Sequence, residues 1–120
     1  KAAEYGIGKK LLTKNEWFFD CHFINNPVMP GTLQTEAMLQ TAVSIIYYST
    51  NIKKKECLIV EPSSNFFFKI DKPGEIFIEA QVSLGNNGGA QAKTKLYYNG
   101  KLASDGSFKF IIPERLNIDE

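Results

Sequence analysis

His22 is the one histidine in the 120-residue chain, and it stands in the stretch WFFDCHFINNPVMPGTLQTEAM, residues Trp17 to Met38. Its neighbours Phe18, Phe19 and Phe23 form an apolar wall. Such surroundings disfavour the imidazolium ion and keep the ring neutral and available as a base. Pro27, Pro30 and Gly31 hold the chain in a fixed turn just ahead of an apolar, helix-periodic run. A helix start offers N–H groups with no partner inside the helix, and a glycine there lets a ligand approach the backbone closely. A carbonyl oxygen that gains negative charge would be stabilised at that point. Glu36 follows about one helical turn later. If the helix is a buried one, Glu36 is a carboxyl in apolar surroundings, which favours its protonated form and makes it a proton donor. A base, an oxyanion site and an acid together suit abstraction of a proton next to a carbonyl, coupled to loss of a leaving group.

Other arrangements in the chain carry less. Cys21 and His22 are adjacent, and on an extended chain adjacent side chains point to opposite sides. A metal site needs three or four ligands, and one histidine with two cysteines is a thin set for it. Asp105-Gly106-Ser107 lacks the Gly-x-Ser-x-Gly pattern of a nucleophile elbow. The cluster Gly85, Gly88 and Gly89 leads into a strand pattern rather than a helix, so it reads as a turn and not as a phosphate cradle.

The elements that must position these groups are legible in outline. Lys9 to Thr13 reads as a short strand, and TKNE as a turn. From Thr32 there is no proline or glycine until Pro62. Leu33, Ala37, Met38, Thr41, Ala42, Ile45 and Ile46 recur at spacings of three and four, which predicts a helix from about Thr32 to about Thr50. Its polar residues are few, so burial on most sides is expected. Lys53, Lys54 and Lys55 suit the negative end of its dipole. The second half is β-branched and aromatic in runs: CLIVE, SSNFFFKI, EIFIEAQVSL, AQAKTKLYY and KLASDGSFKFII. Asn99-Gly100 between apolar runs is a strong hairpin signal. GNNGG marks a looser hairpin, and KPGE (Lys72 to Glu75) another turn. One long helix followed by four or five antiparallel strands indicates an α+β fold, with the sheet wrapped over the helix.

Composition sets the frame. The length implies a single domain over residues 1–120, and the 43% apolar share is enough for a core. Fourteen basic and thirteen acidic side chains leave a net charge of +1, without the basic excess of a nucleic-acid binder. No apolar run approaches the ~18 residues of a membrane span, and KAAEYGIGKK lacks the apolar core of a signal peptide. Cys21 and Cys57 form no disulfide framework and fit a reducing compartment. The expectation is a cytoplasmic protein with no nucleic-acid or membrane partner.

The stretch HFINNPVMPGTLQTEAM resembles the active-site segment of the hotdog-fold β-hydroxyacyl-(acyl carrier protein) dehydratases of type II fatty-acid synthesis. WFFDCHFI and PVMPG resemble the dehydratase/isomerase branch of that family. Glu36, where that branch carries aspartate, matches the plain dehydratase branch, as do KPGEIF (Lys72 to Phe77) and the short length. The plain branch is therefore favoured. The resemblance spans roughly Lys9 to Pro113 and is specific in Trp17 to Gln40.

It implies a hotdog fold and the elimination of water from a 3-hydroxyacyl thioester. His22 would remove the α-proton, and Glu36 would help to protonate the departing hydroxyl. The Gly31 N–H would polarise the thioester carbonyl, with Phe23 and Pro30 alongside Gly31 in the substrate-binding set. The two side chains of one site would come from different subunits of a homodimer, with a trimer of dimers as the further assembly. The acyl chain would lie in an apolar tunnel along the interface. No metal or organic cofactor is implied, because the phosphopantetheine arm belongs to the substrate carried by the acyl carrier protein. Lys53 to Lys55, Lys69 and Lys72 are the candidate carrier-docking residues. Ile24 and Asn25 after Phe23, Cys21 before His22, and the polar Gln34 and Thr35 depart from the plain branch. The alternatives are a hotdog acyl-thioesterase and a non-catalytic acyl-thioester-binding subunit, since fold does not fix reaction class.

Overall fold

Strand β1 (Ala3–Leu12) opens the chain, and helix α1 (Gly31–Ser49) follows it. Four strands complete the order: β2 (Leu58–Phe66), β3 (Gly74–Leu84), β4 (Gly89–Tyr98) and β5 (Lys101–Ile111). These elements belong to a computed structural model that describes residues 3–12, 29–49, 57–85 and 88–113. The five strands form one antiparallel sheet in the order β1-β3-β4-β5-β2. The first strand of the chain lies at one edge and the second at the other, so α1 carries the chain from edge to edge across the sheet.

Alternation in the strands decides which face is inside. In β3 the residues Ile76, Ile78, Ala80, Val82 and Leu84 are buried, and in β4 Ala90, Ala92, Thr94 and Leu96. Phe108 and Phe110 of β5 join them beneath the helix. The helix answers with one row at spacing four: Gln34, Met38, Ala42 and Ile46 are all buried. Two glycines of β1 bring the strand close to the helix. A Cβ on Gly6 would lie 2.6 Å from Ile45 Cδ1, and one on Gly8 would lie 2.7 Å from Thr41 Oγ1. The opposite sheet face is polar: Lys93, Lys95 and Lys109 alternate with the buried positions, and Glu61 pairs with Lys109 at 3.3 Å.

The sequence reading holds for the helix to within one residue at each end. β1 is longer than the expected Lys9–Thr13, because Gly6 and Gly8 hide its apolar alternation. CLIVE and SSNFFFKI do not make two strands. They fuse into β2 across Pro62, which an edge strand tolerates, with a bulge between Ile59 and Glu61. Asn99 and Gly100 form the expected tight turn, both at positive φ (49° and 87°). The KPGE turn is tied to that hairpin: the Tyr98 hydroxyl donates to the Lys72 carbonyl at 2.7 Å. The Glu75 N–H donates to Asn99 Oδ1 at 2.9 Å. Lys53 to Lys55, the TKNE turn and Asn86-Asn87 of the GNNGG hairpin lie outside the described residues.

Candidate active site

The site is built around the start of α1. Met29 is buried, and its N–H donates to the Ile70 carbonyl at 2.7 Å. Pro30 follows, and its carbonyl accepts from the N–H groups of Leu33 (3.0 Å) and Gln34 (3.1 Å), which closes the first turn. Gly31 is the first helical residue. Proline just before a helix start suits its fixed φ. Gly31 has a neighbour from the end of β2. A Cβ there would lie 3.0 Å from Phe66 Cζ, so the ring of Phe66 covers this end of the helix. No pattern in the sequence marks that contact. It depends on the register that places Phe66 opposite Ser104 at the end of β2.

Glu36 does not sit where the sequence reading expected it. It is exposed in the protomer, and Gln40 Nε2 donates to its Oε2 at 2.7 Å. The reason is its position in the turn: two residues beyond buried Gln34 it points to the opposite side of the helix. Thr32, Glu36, Gln40, Ser44 and Tyr48 form a row at spacing four, exposed throughout. The helix is thus buried on one side rather than on most sides. Burial of the Glu36 carboxyl in apolar surroundings is not a property of the single chain.

Beside this row lies a groove of about 630 Å³ between α1 and β1. Met29, Ala37, Gln40, Ile45, Tyr48 and Ile76 contribute to its walls. It therefore runs from the residue before Pro30 along the flank of the Glu36 row. The two polar departures from the plain branch both have local roles. Thr35 Oγ1 shares a hydrogen bond with Ser64 Oγ at 3.0 Å, which joins the helix to β2. Gln34 Nε2 donates to the Met29 carbonyl at 3.3 Å.

His22, Phe23 and Cys21 lie outside the described residues, as does Trp17. Pro30, Gly31 and Glu36 are described: Pro30 and Gly31 open the first turn of the helix, and Glu36 lies in its second turn. Among the described residues no group of three or more His, Cys, Asp or Glu side chains is placed to hold a metal ion. Lys69 and Lys72 are exposed near the turn that leads into β3.

Comparison with known proteins agrees with this architecture. Residues 3–108 match the family described as FabA-like domain. A 3-hydroxyacyl-[acyl-carrier-protein] dehydratase FabZ of Alkaliphilus metalliredigens is 33% identical over 108 residues, covering 89% of this chain and 74% of the relative. A solved thioesterase superfamily member from Thermus thermophilus superposes with a TM-score of 0.75 at 12% identity, over 92% of this chain and 82% of that one. A hot-dog-like protein from Thermanaerovibrio acidaminovorans superposes with a TM-score of 0.73 at 12% identity, over 91% and 80%. Identities that low speak for the fold alone, which is the hotdog, and not for thioester hydrolysis. With a family match over nearly the whole strand-and-helix framework, the chain belongs to the FabA-like family of hotdog dehydratases.

Proposed function

We propose that this chain is a 3-hydroxyacyl-(acyl carrier protein) dehydratase, a hydro-lyase that eliminates water to give a trans-2-enoyl thioester. The observation that carries the reading is 33% identity to a dehydratase across 89% of the chain. The start of α1 supports it chemically, since the helix opens at Gly31 and carries a carboxyl, Glu36, one turn further on.

His22 takes the α-proton, and the electron pair moves into the bond between the α and β carbons. The β-carbon–oxygen bond breaks, and Glu36 gives its proton to the departing hydroxyl, which leaves as water. The Gly31 N–H, at the positive end of the helix, bears the negative charge that develops on the thioester oxygen. Phe23 and Pro30 line the substrate alongside. The groove beside Met29, Ala37 and Ile45 offers apolar room for the acyl chain. No metal or organic cofactor enters these steps; the phosphopantetheine arm arrives with the carrier-bound substrate.

The working form is a homodimer. A partner subunit laid on the Thr32–Tyr48 row would take Glu36 out of water. The other edge of the sheet offers a second surface for association: Leu58, Ile59, Val60 and Phe66 of β2, with Phe67 and Phe68 just past it, are exposed large apolar residues. A trimer of dimers is the higher assembly. Among the described residues no helix is long and apolar enough to cross a membrane. A cytoplasmic site of action fits the two cysteines, which form no disulfide framework.

The test follows loss of enoyl absorbance as water adds to a crotonyl thioester. His22→Ala and Glu36→Gln should each lower the rate by roughly 10²–10⁴-fold, the range for a positioned acid or base. Normal turnover in His22→Ala, or release of free thiol in place of hydration, would overturn the reading.

A further inference from the structure

Gln34 is sealed from solvent at 3% exposure, yet among the described residues only one half of its amide has a partner. Nε2 donates to the Met29 carbonyl at 3.3 Å, while buried Oε1 has no partner among the described residues. That is an unfavourable use of a core position, because an unpaired buried oxygen keeps its desolvation cost. An apolar side chain of similar length would fill the space without it. Stability alone does not explain an amide here.

The amide does hold one particular carbonyl. Met29 is fixed on both sides, through its N–H to Ile70 and through its C=O to Gln34. Pro30 has a locked φ, and its carbonyl is taken by Leu33 and Gln34 N–H groups. The backbone leading into Gly31 is therefore restrained at successive points, and among the described residues the Gln34 amide is the side chain that restrains it. We infer that Gln34 is a positioning residue that clamps the Met29 carbonyl and so aims the Gly31 N–H at the thioester carbonyl. The inference rests on the proposed role of Gly31. Gln34 itself touches no reacting atom. An oxyanion donor acts only when it is preorganised toward the developing charge, and small misplacements are expensive in rate.

The experiment uses the full chain with Gln34→Met and Gln34→Leu, read three ways. Thermal unfolding should show little change in Tm, because both variants remove the unpaired oxygen while taking the Nε2 donor from the Met29 carbonyl. Hydration of a crotonyl thioester should show kcat lowered roughly three- to tenfold with KM within about twofold, as expected when aim rather than binding is lost. Amide hydrogen exchange at Met29 and Gly31 should quicken. A fall in Tm with kcat unchanged would make Gln34 merely structural and overturn the inference, as would failure of both variants to fold. Unchanged exchange at Met29 and Gly31 would overturn it too. If the unsubstituted chain hydrates no thioester, the dehydratase reading fails, and the exchange data still decide whether Gln34 clamps the turn.

Discussion

The two edges of the sheet have opposite surfaces. β1 carries Lys9 and Lys10 along its exposed length, and its inward glycines Gly6 and Gly8 give the helix room. β2 carries no lysine or arginine, and Leu58, Ile59 and Val60 at its start and Phe66 at its end are exposed. Both edges present unpaired backbone groups, which is a liability that proteins manage with charge or with cover. β1 is defended by charge. β2 is left for cover, and its polar middle, Ser63 to Asn65, is where the helix start is tied through Thr35 and Ser64. One edge thus serves the protomer's own packing. The other packs against the helix start, through the Gly31 and Phe66 contact and the Thr35–Ser64 hydrogen bond.

Substitutions can set the two edges against each other. The largest effect should come from Val60→Lys. A charge buried in a dimer interface should weaken association on the order of 100-fold, the equivalent of about 2.7 kcal/mol. Sedimentation would read this as monomer at micromolar concentration, with hydratase activity recovering as protein concentration rises. An unchanged dimer would mean that β2 is not the covered edge.

Gly8→Ala should act on the protomer instead. Its new Cβ meets Thr41 Oγ1, which is already engaged with the Ala37 carbonyl at 2.9 Å. Overpacking of this kind costs about 1–3 kcal/mol, read as a lower midpoint in urea, while dimer affinity per folded protomer stays the same. Gly6→Ala should cost less, since the atom it meets is the flexible end of Ile45.

A smaller effect concerns Cys57, just before β2. Burial pushes its thiol up, and a hydrogen bond with the Tyr47 side chain pulls it partly back. A raised thiol holds its proton to higher pH, so less thiolate is available at a given pH. Alkylation of Cys57 should therefore reach half its maximal rate at a higher pH in the folded protein than in the same protein in denaturant. Tyr47→Phe should move that midpoint higher still. The smallest effect is expected on the defended edge: Ile7→Lys, at an exposed outward position, should change stability by less than ~0.5 kcal/mol and leave the dimer intact.

Residue type and spacing alone carried much of this protein. The helix was legible because its apolar residues recur at the helical period and Pro30-Gly31 punctuates its start. The last hairpin was legible because Asn99-Gly100 is among the few pairs that accept two positive φ values in succession. The family was legible in the stretch from Trp17 to Gln40, and a candidate chemistry with it, because histidine, turn and carboxyl lie within one short run of sequence.

Three features required the tertiary structure. The direction of Glu36 depends on which side of α1 the sheet takes, and helical periodicity does not choose between a row of Gln34, Met38 and Ala42 and a covered row of Glu36 and Gln40. The fusion of two apolar runs into β2 depends on its place at an edge, where Pro62 loses nothing in the ladder. The seat of Phe66 on Gly31 joins residues 35 positions apart, and only strand register brings them together. Local periodicity and turn chemistry act over a few residues and are written in the sequence itself. Facing, edge position and register are set by the packing of the whole sheet against one helix.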